Sequence, residues 1–223
     1  MALSGNSMPF HLFEDKSDVL IIERRLPHWS QAGAVSFITW RTADSMPKAV
    51  VDRWHADRAA CLNHYGIDPT QSDWRQQFML QHPEAARNCL DLFWNRWEDE
   101  LDSCHGACVL RQPELARIVR DSLLHFDGDR YLILDFVVMP NHAHLLAAFA
   151  DEDAMLNQCE SWKRYTATQI NRRLKQHGRF WQSDAFDHLV RTEKQFEYLR
   201  GYIANNGIKA KLRPGEYVHY SRT

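Results

Sequence analysis

The stretch Val137-Val138-Met139-Pro140-Asn141-His142-Ala143-His144-Leu145-Leu146 decides the fold that we expect for this chain. It is an apolar run interrupted by Pro140-Asn141, a pattern typical of two strands joined by a tight turn. Side chains alternate between the two faces of a strand, so we expect His142 and His144 on the same face of a sheet. Two adjacent imidazoles can chelate a metal ion, although a His-x-His pair also occurs in strands that bind nothing.

The composition favours a folded protein without a membrane span. Of 223 residues, 44% are hydrophobic and 12% aromatic, which is sufficient for a packed core. No apolar run approaches the roughly 20 residues that span a bilayer, and the N-terminus lacks the features of a signal peptide. The five cysteines are expected to be reduced thiols. Cys104 and Cys108 flank a histidine, but no second Cys/His pair follows to complete a structural zinc site.

Charge is distributed unevenly along the chain, whose net charge is −2. Residues 156–223 contain 13 Lys and Arg against 6 Asp and Glu, whereas residues 1–155 contain 14 against 23. A basic second part allows one face of the protein to bind a polyanion such as nucleic acid. Ordinary solvated helix faces would give the same composition.

Hydrophobic periodicity predicts strands and helices in alternation. Strand patterns rich in β-branched and aromatic residues cover 34–40, 131–138, 142–149 and 186–190. Helical stripes cover 113–124, 151–175 and 192–206. The last helix opens with a capping box, Thr192 to Gln195, and is expected to end at Asn206-Gly207. This order predicts an α+β fold, a ferredoxin-like antiparallel sheet with helices packed on one face.

The domain organisation follows from the same patterns. Residues 1–33 lack sustained periodicity and are predicted to be an irregular lead-in, and residues 213–223 a C-terminal tail. Residues 34–212 are predicted to form the main domain, which contains a helical insertion at about 44–112. The tryptophans of this insertion recur at helical spacing and are expected to pack in its interior.

The last predicted helix carries polar side chains beside its apolar stripe. Tyr198, Tyr202 and Asn206 recur at four-residue spacing and therefore share a face. Asn206 and the two imidazoles would hold a divalent cation, and Tyr202 would face a phosphate polarised by it. A free phenol has a pKa near 10, so the cation and a nearby base would have to activate the hydroxyl. A surface tyrosine of an amphipathic helix would fit the same spacing.

Several motifs follow one another in a recognisable order. They are Met139 to Leu146; Ser161-Trp162-Lys163-Arg164-Tyr165-Thr166-Ala167 with Ile170-Asn171; Phe180-Trp181-Gln182; Phe186-Asp187-His188 with Val190-Arg191; and Tyr202-Ile203-Ala204-Asn205-Asn206 with Lys209-Ala210-Lys211-Leu212. In these motifs the chain resembles the HUH single-tyrosine transposases, specifically the REP-associated tyrosine transposases. The resemblance spans 115–212 and, more weakly, 34–41. Where those transposases usually have Asn-Pro, this chain has Asn206-Gly207.

The resemblance implies a metal-dependent single-strand DNA endonuclease and strand transferase acting at hairpin-associated or repetitive extragenic DNA. A tyrosine hydroxyl attacks the scissile phosphate, leaving a 5′-phosphotyrosine bond and a free 3′-OH. Carried over, Tyr202 is the nucleophile, His142, His144 and Asn206 are the metal ligands, and the metal is Mg²⁺ or Mn²⁺. The implied partner is single-stranded DNA with hairpin structure. A cytoplasmic, nucleoid-associated monomer is expected, with a dimer left open.

Basic residues of the second half would contact DNA phosphates. They are Lys163, Arg164, Arg172, Arg173, Lys175, Arg179, Arg191 and Lys209. Trp181 would either stack on an unpaired base or pack in the core.

Three alternatives stay open from the sequence. Tyr165 also lies on a predicted helix within a matching motif and is the second candidate for the nucleophile. The departure at Gly207 and the acidic insertion leave room for a catalytically inactive repeat-DNA-binding protein of the same fold. The third alternative is an unrelated metal-dependent hydrolase that uses the histidine pair without forming a covalent adduct.

Overall fold

The computed structural model describes residues 20–23, 27–30, 33–183 and 186–222. The chain divides into two compact units, one made of Met1–Ala43 with Cys108–Thr223 and the other of Asp44–Ala107. The strands are β1 (Leu20–Glu23), β2 (Pro27–Ser30), β3 (Val35–Arg41), β4 (Tyr131–Val138), β5 (His142–Phe149), β6 (Phe186–Leu189) and β7 (Val218–Ser221). The α-helices are α1 (Lys48–His64), α2 (Trp74–Gln81), α3 (Pro83–Asp102), α4 (Pro113–Leu124), α5 (Glu152–Leu174) and α6 (Glu193–Lys209).

The main sheet of the first unit has five strands in the order β6-β3-β5-β4-β7, and every neighbouring pair is antiparallel. Strands β3, β4, β5 and β6 form a β-α-β-β-α-β unit, because α4 lies between β3 and β4 and α5 lies between β5 and β6 in the chain. This is the ferredoxin-like topology. The predicted α+β fold class is therefore confirmed.

Two short strand pairings were not predicted. β7 pairs with β4 at the edge of the sheet, so the prediction of a tail over 213–223 is wrong for residues 218–221. β1 and β2 pair with each other, so the irregular lead-in is wrong for those eight residues. The rest of that segment up to residue 32 lies outside the described residues. Both pairings are contacts between segments, and a short strand depends on its partner as much as on its own pattern.

Different helices cover the two faces of the main sheet. One face packs against α4 and α5 in a single core that includes Trp40, Leu145 and Trp162. Side chains of the other face, which we call the histidine face, include His142 and His144, and this face meets α6. The prediction that all helices pack on one face is therefore wrong for α6. All eight residues of β5 are buried, and their side chains alternate between the two faces of the sheet. Both faces must therefore be covered by other elements.

A β-bulge in β4 sets which of its side chains reach the histidine face. The register shifts between Ile133, which pairs with Ala147, and Asp135, which pairs with Leu146. Ile133 belongs to the core shared with α4 and α5. In a regular strand without the bulge, Asp135 would share the apolar face of Ile133, because residues two apart lie on one face. The bulge instead turns the carboxylate of Asp135 towards α6.

The start of α6 follows the sequence prediction, but its end does not. Thr192 Oγ1 accepts a hydrogen bond from Gln195 N at 3.1 Å, as expected of a capping box. The Gln195 side chain accepts from Arg191 N at 2.8 Å, one residue before the cap. The helix continues through Gly207 to Lys209, so the predicted stop at Asn206-Gly207 is wrong.

The second unit, residues 44–107, contains α1, α2 and α3 and has its own small core. Leu62, Ile67, Phe78 and Ala86 form that core. Trp54 packs edge-on against Trp97, with ring centroids 5.1 Å apart, as expected for packing tryptophans. The predicted insertion at about 44–112 includes this whole unit.

Candidate active site

His142 and His144 lie side by side on the histidine face, as strand alternation requires. Their ring centroids are 4.6 Å apart, and both side chains are fully buried. Phe37 of β3 stacks on the ring of His144 at 5.4 Å. Burial in an apolar surrounding holds the two imidazoles in one arrangement, which is the geometry that a chelating pair needs.

Each imidazole is oriented through its Nδ1 atom. His142 Nδ1 lies 2.8 Å from Asn141 Oδ1, and His144 Nδ1 lies 2.7 Å from Thr39 Oγ1. A carbonyl oxygen can only accept, so Nδ1 of His142 carries the proton and Nε2 carries the lone pair. Threonine can donate or accept, so this bond orients His144 without selecting its tautomer. Both Nε2 atoms are thus turned away from the strand that holds them.

The electrostatics of His142 favour the neutral imidazole. Burial, and then the neighbouring His144, hold the pKa of His142 well below its usual range. A metal ligand must be unprotonated, so protons compete weakly for this nitrogen at neutral pH.

A buried ion pair fixes α6 on the sheet. Asp135 is 2% exposed and accepts a hydrogen bond from Arg200 Nε of α6 at 3.0 Å. Ser221 Oγ of β7 donates to the same carboxylate at 2.6 Å and accepts from Arg200 Nη2 at 3.1 Å. The Asp135 side chain is 3% exposed and the Arg200 side chain 35%, so water still screens the arginine end of the pair. The group therefore joins α6, β4 and β7.

Tyr202 is brought to the histidine pair by α6. Its hydroxyl lies 3.3 Å from His144 Nε2, and the two ring centroids are 5.2 Å apart. The ring also meets the edge of Phe37 at 6.2 Å. A nucleophilic hydroxyl within reach of an imidazole nitrogen is the arrangement from which a side chain can be activated.

The contacts of α6 also locate Asn206. Arg200 reaches Asp135, and Tyr202, two residues further along, reaches the second histidine, so α6 advances from the end of β5 towards its start. Asn206 comes about one helical turn, ~5.4 Å, after Tyr202. Asn206 therefore lies on the same side of α6 as Tyr202, one turn closer to the C-terminal end of the helix.

Asn206 has the burial expected of a ligand. It is 1% exposed, and within the described residues neither its amide nitrogen nor its amide oxygen has a hydrogen-bond partner. The same holds for Nε2 of His142. Leaving a buried polar group unpaired costs about 1–3 kcal/mol. These atoms therefore suit an additional partner, and imidazole nitrogen with amide oxygen is a donor set for a divalent cation.

Packing explains the glycine at position 207, where the chain departs from the motif that it resembles. A Cβ at this position would lie 2.5 Å from Cε2 and 2.6 Å from Cε1 of Tyr217. The ring lies against the helix backbone, so a side chain at residue 207 would displace it. Glycine here permits close approach of Tyr217 and does not terminate the helix.

Tyr165, the second candidate nucleophile, lies elsewhere. It belongs to α5, whose Trp162 and Ile170 pack on the sheet face opposite the histidines. Its side chain is 54% exposed. The sheet therefore separates α5 from the histidine pair, and the structure brings Tyr202 rather than Tyr165 to that pair.

The predicted DNA-contacting cations fall into two groups. Arg191 lies two residues before α6 and Lys209 is the last residue of α6, whereas the others lie along α5 and in the segment after it. Gly178 O accepts from Asn171, and Thr42 bridges to Trp181, so the end of α5 lies near the end of β3. The cations near that end, Arg172, Arg173, Lys175 and Arg179, are exposed, and so is Arg164. Lys163 donates to Ser183 O at 2.7 Å.

Trp181 packs in the core. It is 4% exposed, and its Nε1 donates to Thr166 Oγ1 at 2.8 Å. Its ring meets Trp40 edge-on, with centroids 6.2 Å apart. A base cannot stack on a ring whose faces are already packed, so of the two predicted roles the structure supports the core role.

The cysteines add no metal site. None of the five is in a disulfide, and Cys61 Sγ lies 2.7 Å from Cys89 Sγ. Burial and this hydrogen bond raise the pKa of Cys61 to about 12. Over the part of the chain that the structure describes, no three His, Cys, Asp or Glu side chains are grouped to hold a metal. A third protein ligand beside the histidines would therefore have to come from a residue such as Asn206.

Sequence reasoning missed the supporting residues of this site. Asn141 could have been found, because it directly precedes His142. Thr39 and Asp135 could not, since only strand pairing and the β4 bulge bring them to the histidine face.

No family model matches the chain, and no curated protein matches its sequence. Among solved structures, a REP-associated tyrosine transposase bound to a REP hairpin aligns with a TM-score of 0.39 and 14% identity, over 80% of this chain and 69% of that chain. No described helix is long and apolar enough to cross a membrane. The roles of individual residues must therefore come from the chemistry of this chain.

Proposed function

We propose that this chain is a metal-dependent single-strand DNA endonuclease and strand transferase that works through a covalent 5′-phosphotyrosine intermediate. The proposal joins the motifs described above to the arrangement of the histidine face. We further propose that the substrate carries a hairpin or repetitive extragenic sequence. We also propose that the protein acts as a monomer in the cytoplasm, associated with the nucleoid.

One observation carries the proposal. The hydroxyl of Tyr202 lies 3.3 Å from Nε2 of His144, although 58 residues separate them in sequence. An ordinary surface tyrosine on an amphipathic helix would point its hydroxyl to water. Tyr198, one turn earlier and 62% exposed, does so. The contrast between two tyrosines of one helix supports a specific role for Tyr202.

The reaction follows from the groups present. The Tyr202 oxygen forms a bond to phosphorus, the bond from phosphorus to the 3′ oxygen breaks, and the strand leaves with a free 3′-OH once that oxygen takes up a proton. The phenolic proton passes to solvent water, because Nε2 of His144 is a candidate metal ligand and its lone pair cannot serve both roles. The reverse attack by a 3′-OH rejoins strands. Because one phosphodiester replaces another, no external energy source is required.

A divalent cation fits the residues of the site. His142 Nε2 and the Asn206 amide are buried without hydrogen-bond partners in the described part of the chain, and His144 is the third candidate ligand. Bound there, Mg²⁺ or Mn²⁺ would polarise the phosphate as a Lewis acid. The low pKa of His142 keeps it available for this role. Imidazole ligands favour metals softer than Mg²⁺, so Mn²⁺ is the first metal to test.

The test is formation of a covalent protein–DNA adduct. Wild-type protein and hairpin oligonucleotides with single-stranded arms are incubated with Mn²⁺, Mg²⁺ or EDTA, and adducts are resolved by denaturing electrophoresis and mass spectrometry. We expect a metal-dependent adduct at Tyr202 that Tyr202→Phe abolishes. Tyr198→Phe, on the same helix, is the matched control and should react normally.

Other outcomes separate the alternatives. Loss of the adduct in Tyr165→Phe, with a normal adduct in Tyr202→Phe, would move the nucleophile to α5. Hairpin binding without an adduct in any metal would indicate the catalytically inactive DNA-binding protein. Cleavage with turnover but no adduct would indicate a hydrolase.

A further inference from the structure

Arg41, the last residue of β3, lies beside the histidine pair. In the antiparallel pairing of β3 with β5, Thr39 is opposite His144 and Arg41 is opposite His142. Residues two apart on a strand share a face, so Arg41 belongs to the histidine face like Thr39. Cβ atoms of directly paired residues are about 4.5–5.5 Å apart. The register thus places Arg41 directly beside His142 on the histidine face.

The neighbouring pair demonstrates this geometry. Thr39 Oγ1 lies 2.7 Å from Nδ1 of His144, so side chains paired across these two strands do meet. Arg41 has a longer side chain than Thr39 and is half-buried. Its backbone is held at both sides, because its carbonyl accepts from Gln182 N at 2.9 Å and the next amide, Thr42 N, donates to Asn141 O at 2.8 Å.

Arg41 adds a positive charge beside the histidine pair. Burial lowers the pKa of Arg41 from its ordinary value, but a guanidinium stays protonated at neutral pH. A cation next to the imidazole pair favours an anion at this place. A phosphodiester is such an anion, and the planar guanidinium matches its non-bridging oxygens.

Arg41 also lies at the same end of the sheet as the predicted DNA contacts at the end of α5. Thr42 bridges to Trp181, which places the exposed Arg179 at the same end of the sheet. The C-terminal end of α5, with its own exposed cations, is tied to this segment through Asn171 and Gly178. A DNA strand that passes from α5 to the histidine face over this end would cross Arg41.

We propose that Arg41 is a catalytic residue that binds a non-bridging oxygen of the DNA phosphate next to His142. The proposal rests on the proposed function and deepens it, since it names the group that holds the reacting phosphate. Arg41 makes this contact independently of Tyr202.

The experiment is a methylphosphonate scan in a protein that cannot cleave. A Tyr202→Phe protein and the same protein with Arg41→Met are bound to hairpin oligonucleotides, each with one neutral methylphosphonate at a different position of the single-stranded arm. Methionine keeps an unbranched side chain of similar length but removes the charge. Arg117→Met, an exposed arginine on α4, is the matched control, and thermal melts verify folding.

We expect Arg41→Met to weaken binding of the unmodified oligonucleotide by about 10- to 100-fold, as for a hydrogen bond to a charged group. The slope of log affinity against log salt should fall by about 0.7, as for one lost phosphate contact on a single strand. One methylphosphonate position should weaken the parent protein but have no further effect in Arg41→Met. Arg41→Lys should recover part of the affinity, and Arg117→Met should change nothing.

Additive effects at every position would overturn the proposal, because Arg41 would then act through structure alone. The wild-type adduct assay, run in parallel, keeps the two proposals apart. If the adduct forms but no methylphosphonate effect depends on Arg41, only the role of Arg41 is wrong. If a methylphosphonate effect depends on Arg41 but no adduct forms, the strand-transferase activity is wrong and the phosphate contact of Arg41 stands. No binding to any oligonucleotide overturns both.

Discussion

Two glycines of α6 allow the packing of this helix to be tested by the same substitution. Nothing lies within 4 Å of a Cβ built at Gly201, whereas a Cβ built at Gly207 would overlap the ring of Tyr217. Alanine in a helix interior is about 1 kcal/mol more favourable than glycine. Gly201→Ala should therefore stabilise the protein by about 1 kcal/mol, which is about 2–4 °C in Tm for a chain of this size.

Gly207→Ala gains the same helix propensity but meets the ring at 2.5–2.6 Å, about 1 Å inside normal carbon contact. Overpacking of this kind costs about 1–3 kcal/mol. The net effect should be a loss of about 0–2 kcal/mol, and the two alanine variants should differ by about 1–3 kcal/mol. Thermal and urea unfolding followed by circular dichroism measure both values.

A double-mutant cycle isolates the contact with Tyr217. In a Tyr217→Ala background the clash is absent, so Gly207→Ala should gain the full ~1 kcal/mol seen at Gly201. Equal stabilisation by both alanines in the wild-type background would refute the close packing of Tyr217 on α6. A coupling energy near zero would do the same.

Three further predictions concern other parts of the molecule. The pKa of His142 is far below that of a free imidazole, about 6.5, so below pH 6.5 only the unfolded chain takes up this proton. Stability should fall by at most about 1.4 kcal/mol per pH unit below 6.5, and urea unfolding of His142→Gln should lack this component. Trp181→Leu should cost about 2–4 kcal/mol of stability without changing DNA affinity, whereas a stacking role would weaken binding about 5- to 150-fold. The pKa of Cys61 is about 12, so little of its reactive thiolate is present at pH 8. Iodoacetamide at pH 8 should therefore alkylate Cys61 at least about a hundredfold more slowly in the folded protein than in urea. Equal alkylation rates, measured by mass spectrometry, would contradict this.

The order of secondary structure was available from the sequence because it depends on local patterns. Alternation over 131–149 predicts the β4–β5 hairpin and places His142 and His144 on one face, and both were found. The start of α6 was also predictable, since a cap is a contact between residues three apart. These features led to the ferredoxin-like fold and to the histidine pair.

Only the tertiary structure decided how the parts meet. Periodicity shows that a helix has an apolar face but not which side of a sheet receives it. Tyr165 therefore stayed a second candidate beside Tyr202, and only the tertiary structure places α5 and α6 on opposite faces of the sheet. Strand register brings Arg41 and Thr39 to the histidines across more than 100 residues of sequence. These pairings depend on loop closure and on the burial of both sheet faces, which are properties of the whole chain rather than of any local stretch.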